Sequence, residues 1–174
     1  GILSSCTFTN NSINITNATN LNGVGGGAVY WTGNSGNINN CIFSDNYCSI
    51  NVLNSNEWGG GAVYWTGNDG ILTNSNFNRN SALHASSVIG GGAVYWSKYA
   101  SNGKLSNCNF IGNNATHGGG IYWSGANGIL SSSTFANNNV KNYGGGVEWL
   151  GANGKLSNCN FIGNNATHGG GIYW

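Results

Sequence analysis

The 174-residue chain contains no proline and no methionine, and only 5% of its residues are charged, against roughly 25% in an ordinary soluble domain. Five Lys and Arg against four Asp and Glu leave no basic footprint for nucleic acid. No apolar run approaches the ~20 residues of a membrane-spanning helix, and no basic segment followed by an apolar one marks a secretion signal. No Cys-x-x-Cys pair suggests zinc. The bias toward Gly, Asn and Ser is one that disordered chains share. Aromatic residues at 12%, including seven Trp, argue against disorder, because disordered chains are poor in them.

What the chain does have is a repeat. Coils begin at Gly1, Gly36, Gly70, Gly103, Gly128 and Gly154. Seven residues after each stands a Phe (Phe8, Phe43, Phe77, Phe110, Phe135, Phe161), and three further on an Asn (Asn11, Asn46, Asn80, Asn113, Asn138, Asn164). Each coil then passes through Gly-Gly-Gly into a short segment ending at Trp31, Trp65, Trp96, Trp123, Trp149 or Trp174. Coils of 25 or 26 residues, such as Gly103 to Asn127 and Gly128 to Asn153, are too short for two helices and a strand. They fit three short strands with turns, since β-branched and aromatic residues lie between Gly and Asn punctuation. The expected fold is all-β, a six-coil parallel β-solenoid over residues 1–174. At ~4.8 Å per coil it makes a rod roughly 29 Å long. Alternation puts Val29 and Trp31 on one face and Tyr30 on the other. The Leu column (Leu3 to Leu156), the Phe column and the Val column (Val29 to Ile172) are expected inside. The motif Asn is expected at a corner, in left-handed backbone, bonded to the Asn of the next coil.

The pairing of Phe-x-x-Asn (Phe8-Thr9-Asn10-Asn11 through Phe161-Ile162-Gly163-Asn164) with Gly-Gly-Ala-Val segments resembles the polymorphic outer-membrane protein repeats of chlamydiae. The phrasing Gly-Gly-Ala-Val-Tyr-Trp-Thr-Gly-Asn is similar to archaeal adhesin-like surface proteins of gut methanogens. Coils 4 to 6 depart from it, reading Gly-Gly-Gly-Ile or Gly-Gly-Gly-Val without Ala. The resemblance implies a right-handed parallel β-helix on a cell surface, and it carries over no catalytic residue.

Residues 103–123 and 154–174 are identical, so a pair of coils has been duplicated. Coils 1 to 3 carry longer connections, Ser12–Val24, Tyr47–Trp58 and Ser81–Ile89, which should gather into one lateral lobe, often the binding side of a repeat array. Neither end shows the polar cap that solenoids use to stay monomeric. Further coils or head-to-tail stacking of copies into a filament are the two expectations.

Few residues suggest chemistry. Cys6, Cys41, Cys108 and Cys159 share one column with Ser75 and Ser133, as expected for small buried side chains. Cys6 and Cys41 are near enough in adjacent coils to form a disulfide, whereas Cys48 stands in the coil-2 connection. His117 and His168 occupy one position, separated by a coil with Tyr143 there, so they cannot share an ion and no metal site is expected. Asp45, Glu57, Asp69 and Glu148 lie on different stretches, not as the close carboxylate pair that glycoside hydrolysis needs. Tyr30, Tyr64, Tyr95, Tyr122 and Tyr173, interrupted by Glu148, should form an outward ladder that either stabilises its sheet or offers flat faces to sugars or proteins. In the lobe, Trp58 with Tyr47, Glu57 and His84 is a candidate recognition patch, unless Trp58 packs the loop onto the coil. Asn10, Asn14, Asn17, Asn114 and Asn165 begin Asn-x-Ser/Thr glycosylation sequons. The reading is an extracellular structural or adhesive segment with no cofactor and no catalytic activity. Its partners would be its own coils or copies end to end, together with cell-surface glycans or proteins. The alternatives are a filament subunit and a carbohydrate-active enzyme on a β-helix scaffold.

Overall fold

The computed structural model describes residues 1–16, 25–50, 59–84 and 90–174. It is a parallel β-solenoid, and among the described residues every regular element is a strand. A repeat carries four strands rather than the expected three, as in Lys104–Ser106, Asn109–Ile111, Asn114–His117 and Ile121–Trp123. Stacked in register, these build four sheets, termed A to D in chain order, with six, six, five and six strands. The unexpected one is sheet C (Ser12–Ile15, Tyr47–Ile50, Ser81–His84, Asn114–His117, Asn139–Tyr143). It occupies the start of what reads in sequence as loop. A two-stranded ladder pairs Gly59–Gly60 with Gly90–Gly91.

Each sheet pairs like with like. In sheet A, Leu72 faces Ile38 on one side and Leu105 on the other. In sheet B, Phe77 lies between Phe43 and Phe110. The Leu, Phe, Val and Trp columns are interior as expected, fully buried in the middle repeats and part-exposed in the first and last. Phe rings stack at centroid distances of 4.7 to 5.0 Å, and indoles at 4.6 to 5.1 Å. These spacings are close to the parallel-sheet repeat. Each stacked pair adds about 0.5–1.5 kcal/mol beyond area burial. Sheet C fills its inner side with smaller groups: Ile13, Cys48, Ala82, Ala115, Val140 and Ala166. Cys48 is therefore a core residue of a strand and not part of a connection.

Polar ladders hold the corners. The motif Asn bonds to its counterpart in the next coil, as expected. Asn80 Nδ2 donates to Asn113 Oδ1 (3.0 Å) and to the Phe43 carbonyl (3.0 Å), while its backbone N–H also donates to Asn113 Oδ1 (2.9 Å). The left-handed residue is its predecessor, however: Asn10, Asp45, Arg79, Gly112, Asn137 or Gly163, all with φ between 51° and 65°. The turn is made one position early, which leaves the motif Asn free to point inward and be buried. At the start of each coil the glycine has a different reason. A Cβ on Gly36, Gly70, Gly103, Gly128 or Gly154 would lie 2.2 to 2.6 Å from the indole of the preceding Trp.

The Cys/Ser column works as one device. Cys41 and Cys108 donate S–H to the carbonyl two residues back (3.3 and 3.2 Å), as Ser75 and Ser133 do through O–H (2.8 Å each). Cys6 and Cys41 carry free thiols here. Burial pushes the Cys48 and Cys108 thiols up to about 12. Since thiolate is the reactive form, alkylation of the native chain at pH 8 is expected to be roughly 1000-fold slower at these two than at an ordinary thiol. It should rise about tenfold per pH unit while the fold persists. Iodoacetamide labelling read by peptide mass spectrometry checks this, and fast labelling of Cys108 at pH 8 would contradict its placement.

Candidate functional site

Sheet C and sheet D meet through the Gly-Gly-Gly segment, and this junction holds a buried histidine–carboxylate pair. His117 is the last residue of its sheet C strand. Glycine follows at once because the chain must enter left-handed backbone: Gly118 has φ +52°, and its repeats Gly144 and Gly169 have +65° and +63°. The chain then returns as Ile121-Tyr122-Trp123, whose middle residue points away from the core. Side chains ending sheet C thereby come to lie beside the outward column of sheet D.

At this junction His117 Nδ1 is 2.9 Å from Glu148 Oε2, and Asn142 Nδ2 is 3.2 Å from His117 Nε2. With the Asn142 amide donating to Nε2, the ring hydrogen sits on Nδ1 and is donated to the carboxylate. Tyr143 stacks over His117 at 5.3 Å, His168 follows at 5.0 Å, and Tyr143 also meets Tyr173 at 4.8 Å. His117 and Glu148 are both buried. Burial, and secondarily the charge of Glu148, holds the Tyr122 phenol above its ordinary range, so it stays a neutral hydroxyl. Both ring nitrogens of His117 are engaged, and the arrangement is one that orients a buried carboxylate by a hydrogen bond. Glu148→Ala is expected to cost about 2 kcal/mol by leaving a buried imidazole N–H unpaired. Glu148→Tyr should cost less, because it continues the ring column. Urea denaturation of the two variants checks the order.

The pair His117–Glu148 is not legible in the amino-acid sequence, since its members are 31 residues apart. Its available signal was the single break in the Tyr column falling beside a His column. The structure places His117, Tyr143 and His168 in one column, as expected.

The tyrosine ladder needs correction. Tyr64, Tyr95 and Tyr122 are only 3–4% exposed and form a buried cluster of their own; Tyr30 (50%) and Tyr173 (37%), at the ends, remain open. Tyr64 and Tyr95 have a ring neighbour on both sides at 5.0 Å; Tyr122 has Tyr95 on one side and Glu148 in register on the other, and the ends of sheet C run alongside. Three of the five therefore present no free face. Tyr47 is half-buried in sheet C between Ser12 and Ser81. Glu57 and Trp58 lie outside the described residues, and His84 is placed only by its backbone, opposite Ile50. The three long connections do leave from adjacent in-register strands, since Ile15 pairs with Ile50 and Ile50 with His84. Among the sequons, Asn10, Asn14 and Asn165 are exposed and Asn114 is half-buried; Asn17 lies outside the described residues.

The outer faces of sheets A and B carry rows of small polar and isoleucine side chains, with Lys104 and Lys155 in the row of sheet A. Several are tied to one another along the rod: Asn109 Nδ2 donates to Asn76 Oδ1 (2.9 Å), and Thr73 Oγ1 to Asn39 Oδ1 (3.1 Å). One corner adds a two-pronged Arg79–Asp45 pair at 2.8 Å, exposed to solvent. Among the described residues no three His, Cys, Asp or Glu come together as a metal site. No helix there is long and apolar enough to cross a membrane. No family model, curated protein or solved structure matches the chain.

Proposed function

We propose that this chain is a segment of an extracellular structural or adhesive rod that works by stiffness and repeated surface contacts and carries no catalytic role. The observation that supports it is the register. Outward rows repeat at the coil spacing, some of their members are already ordered by hydrogen bonds along the rod, and the core beneath them is stacked without interruption. Contacts that are pre-ordered lose less conformational freedom on binding, and many weak ones in a row add through avidity. The likeness to adhesin-like and polymorphic outer-membrane repeats points the same way. The partners that fit are glycans or proteins of a cell surface, met by rows of small polar and isoleucine side chains with Lys104 and Lys155 among them.

The test is location and adhesion together. Antibodies to residues 1–174 should label intact cells of the source organism, and beads coated with the chain should adhere to glycan-bearing surfaces. Labelling only after permeabilisation would overturn the reading, as would glycan cleavage by the purified chain.

A further inference from the structure

We propose that Cys6 and Cys41 are a covalent stapling site, joined as a disulfide by exchange with a small disulfide such as oxidised glutathione. The observation behind it is a column in which two sulfur atoms adjoin at one place only. Along the rod the column runs Cys6, Cys41, Ser75, Cys108, Ser133, Cys159. Every other neighbouring pair joins a Cys to a Ser, which cannot bridge. Oxidation within the column therefore has a single product. The fifth cysteine, Cys48, is packed in a separate cluster with Ile13, Ile15 and Ile50.

The register brings the two thiols together. Ser4 pairs with Asn39 and Thr7 with Ile42. Between those pairs the ladder is unbroken: Ser5 N–H donates to the Asn39 carbonyl (3.1 Å) and Ile42 N–H to the Cys6 carbonyl (2.9 Å). Cys6 and Cys41 therefore stand one coil spacing apart, ~4.8 Å at Cα, inside the range that a disulfide spans. Their thiols make the same bond, to the carbonyls of Ser4 and Asn39, each at 3.3 Å. The Cys41 sulfur also reaches across the coil boundary, 3.7 Å from the Leu3 carbonyl. Burial is the first cause that holds the Cys41 thiol above its ordinary range, and the backbone and thiol of Cys6 also act on it, as adjoining groups should. Because S–H is a weak donor, bridging forfeits little. The two sulfurs turn from the carbonyls toward each other, and the backbone bonds on either side stay made. The segment closed by the bridge takes in one strand from each of the four sheets, Thr7–Thr9, Ser12–Ile15, Val29–Trp31 and Asn37–Asn39. One full turn of the solenoid is thus tied shut on the next.

The exchange balances in two steps. One protein thiolate attacks oxidised glutathione, breaking its S–S bond, forming a mixed disulfide and releasing one glutathione. The second protein thiolate attacks the mixed disulfide and releases the other glutathione. Two protein thiols are oxidised by two electrons in all, one glutathione disulfide is reduced to two thiols, and the two protons pass to the departing thiolates. The proposal does not rest on the surface reading above, and its test is separate. The folded 174-residue chain is incubated with oxidised glutathione at mildly alkaline pH, and free thiols are blocked with N-ethylmaleimide in urea. Chymotryptic cleavage after Phe8, Trp31, Phe43 and Tyr47 puts Cys6, Cys41 and Cys48 on separate peptides. Mass spectrometry should find the Cys6 and Cys41 peptides linked and the other three cysteines blocked. Amide exchange over residues 29–39 should slow roughly 100-fold relative to the reduced chain. Cys6→Ser, a residue this column already uses, should remove both the link and the slowing. Five blocked thiols after oxidation of the folded chain, a link from Cys41 to Cys48 or to a second copy, or equal exchange in the oxidised and reduced chains would each overturn the proposal.

Discussion

Asn113→Ala is expected to lower the stability of the chain by about 2–4 kcal/mol, a large loss for removing one small polar side chain. Asn113 Nδ2 donates to Asn138 Oδ1 (2.9 Å) and to the Phe77 carbonyl (3.0 Å); its Oδ1 accepts from Asn80 N–H and Asn80 Nδ2. Truncation strands the Asn80 N–H in a buried corner, at about 1–3 kcal/mol, takes one of the bonds from the Phe77 carbonyl, and leaves a small cavity. Asn80 Nδ2 keeps the Phe43 carbonyl and Asn138 Oδ1 keeps the Asn113 N–H, so the damage stays local. Because each coil touches only its neighbours, hydrogen exchange should accelerate first in residues 70–149. Asn113→Asp should be worse at neutral pH than in acid, since its second oxygen would face two acceptors and only the protonated form is tolerated. A loss under 1 kcal/mol for the alanine variant would show that the ladder is decoration.

Gly128→Ala is expected to cost about 3 kcal/mol, at the upper end for overpacking by a single methyl. The added Cβ would sit 2.6 Å from Cε2 and Nε1 of Trp123. That indole is fully buried, held between Trp96 at 4.6 Å and Trp149 at 4.7 Å, and its Nε1 donates to the Gly125 carbonyl at 3.2 Å. It has nowhere to go without disturbing a whole column. Gly33→Ala is the control: its Cβ would meet nothing nearer than 3.8 Å, and a change within about 0.5 kcal/mol is expected. Matched urea denaturation of the two variants reads the difference. Equal effects would mean that the buried indole accommodates the added methyl and does not require Gly at the coil start.

These two residue types also mark what was legible in the amino-acid sequence. Columns of large apolar side chains were legible because stacking demands the same residue at the same offset in every coil, so Phe and Trp recur visibly. Sheet C was missed because four of the six members of its inner column, Cys48, Ala82, Ala115 and Ala166 beside Ile13 and Val140, are too small to register as apolar alternation. The left-handed corner was placed one residue late because two Asn often stand together there, as Asn10-Asn11 and Asn137-Asn138 do. For the tyrosines, alternation correctly assigned the side of the sheet, but it carries no information on what lies over that side. His117 and Glu148 meet across adjacent coils through a turn whose geometry depends on Gly118 in left-handed backbone, and no local pattern encodes that meeting.

One chain coils so that each repeat lies directly on the last. Ser4 is followed in register by Asn39, Thr73, Ser106, Ser131 and Ser157, five steps along sheet A. Nitroxides introduced at Ser4 and Ser157 by a chemistry that spares the native thiols should therefore be separated by roughly 24 Å, five coil spacings. Moving the second label to Ser131 should shorten this by about 5 Å, one spacing. Two narrow pulsed-dipolar distance distributions differing by that single step are the predicted result. Broad distributions, or a change unrelated to the coil spacing, would contradict it.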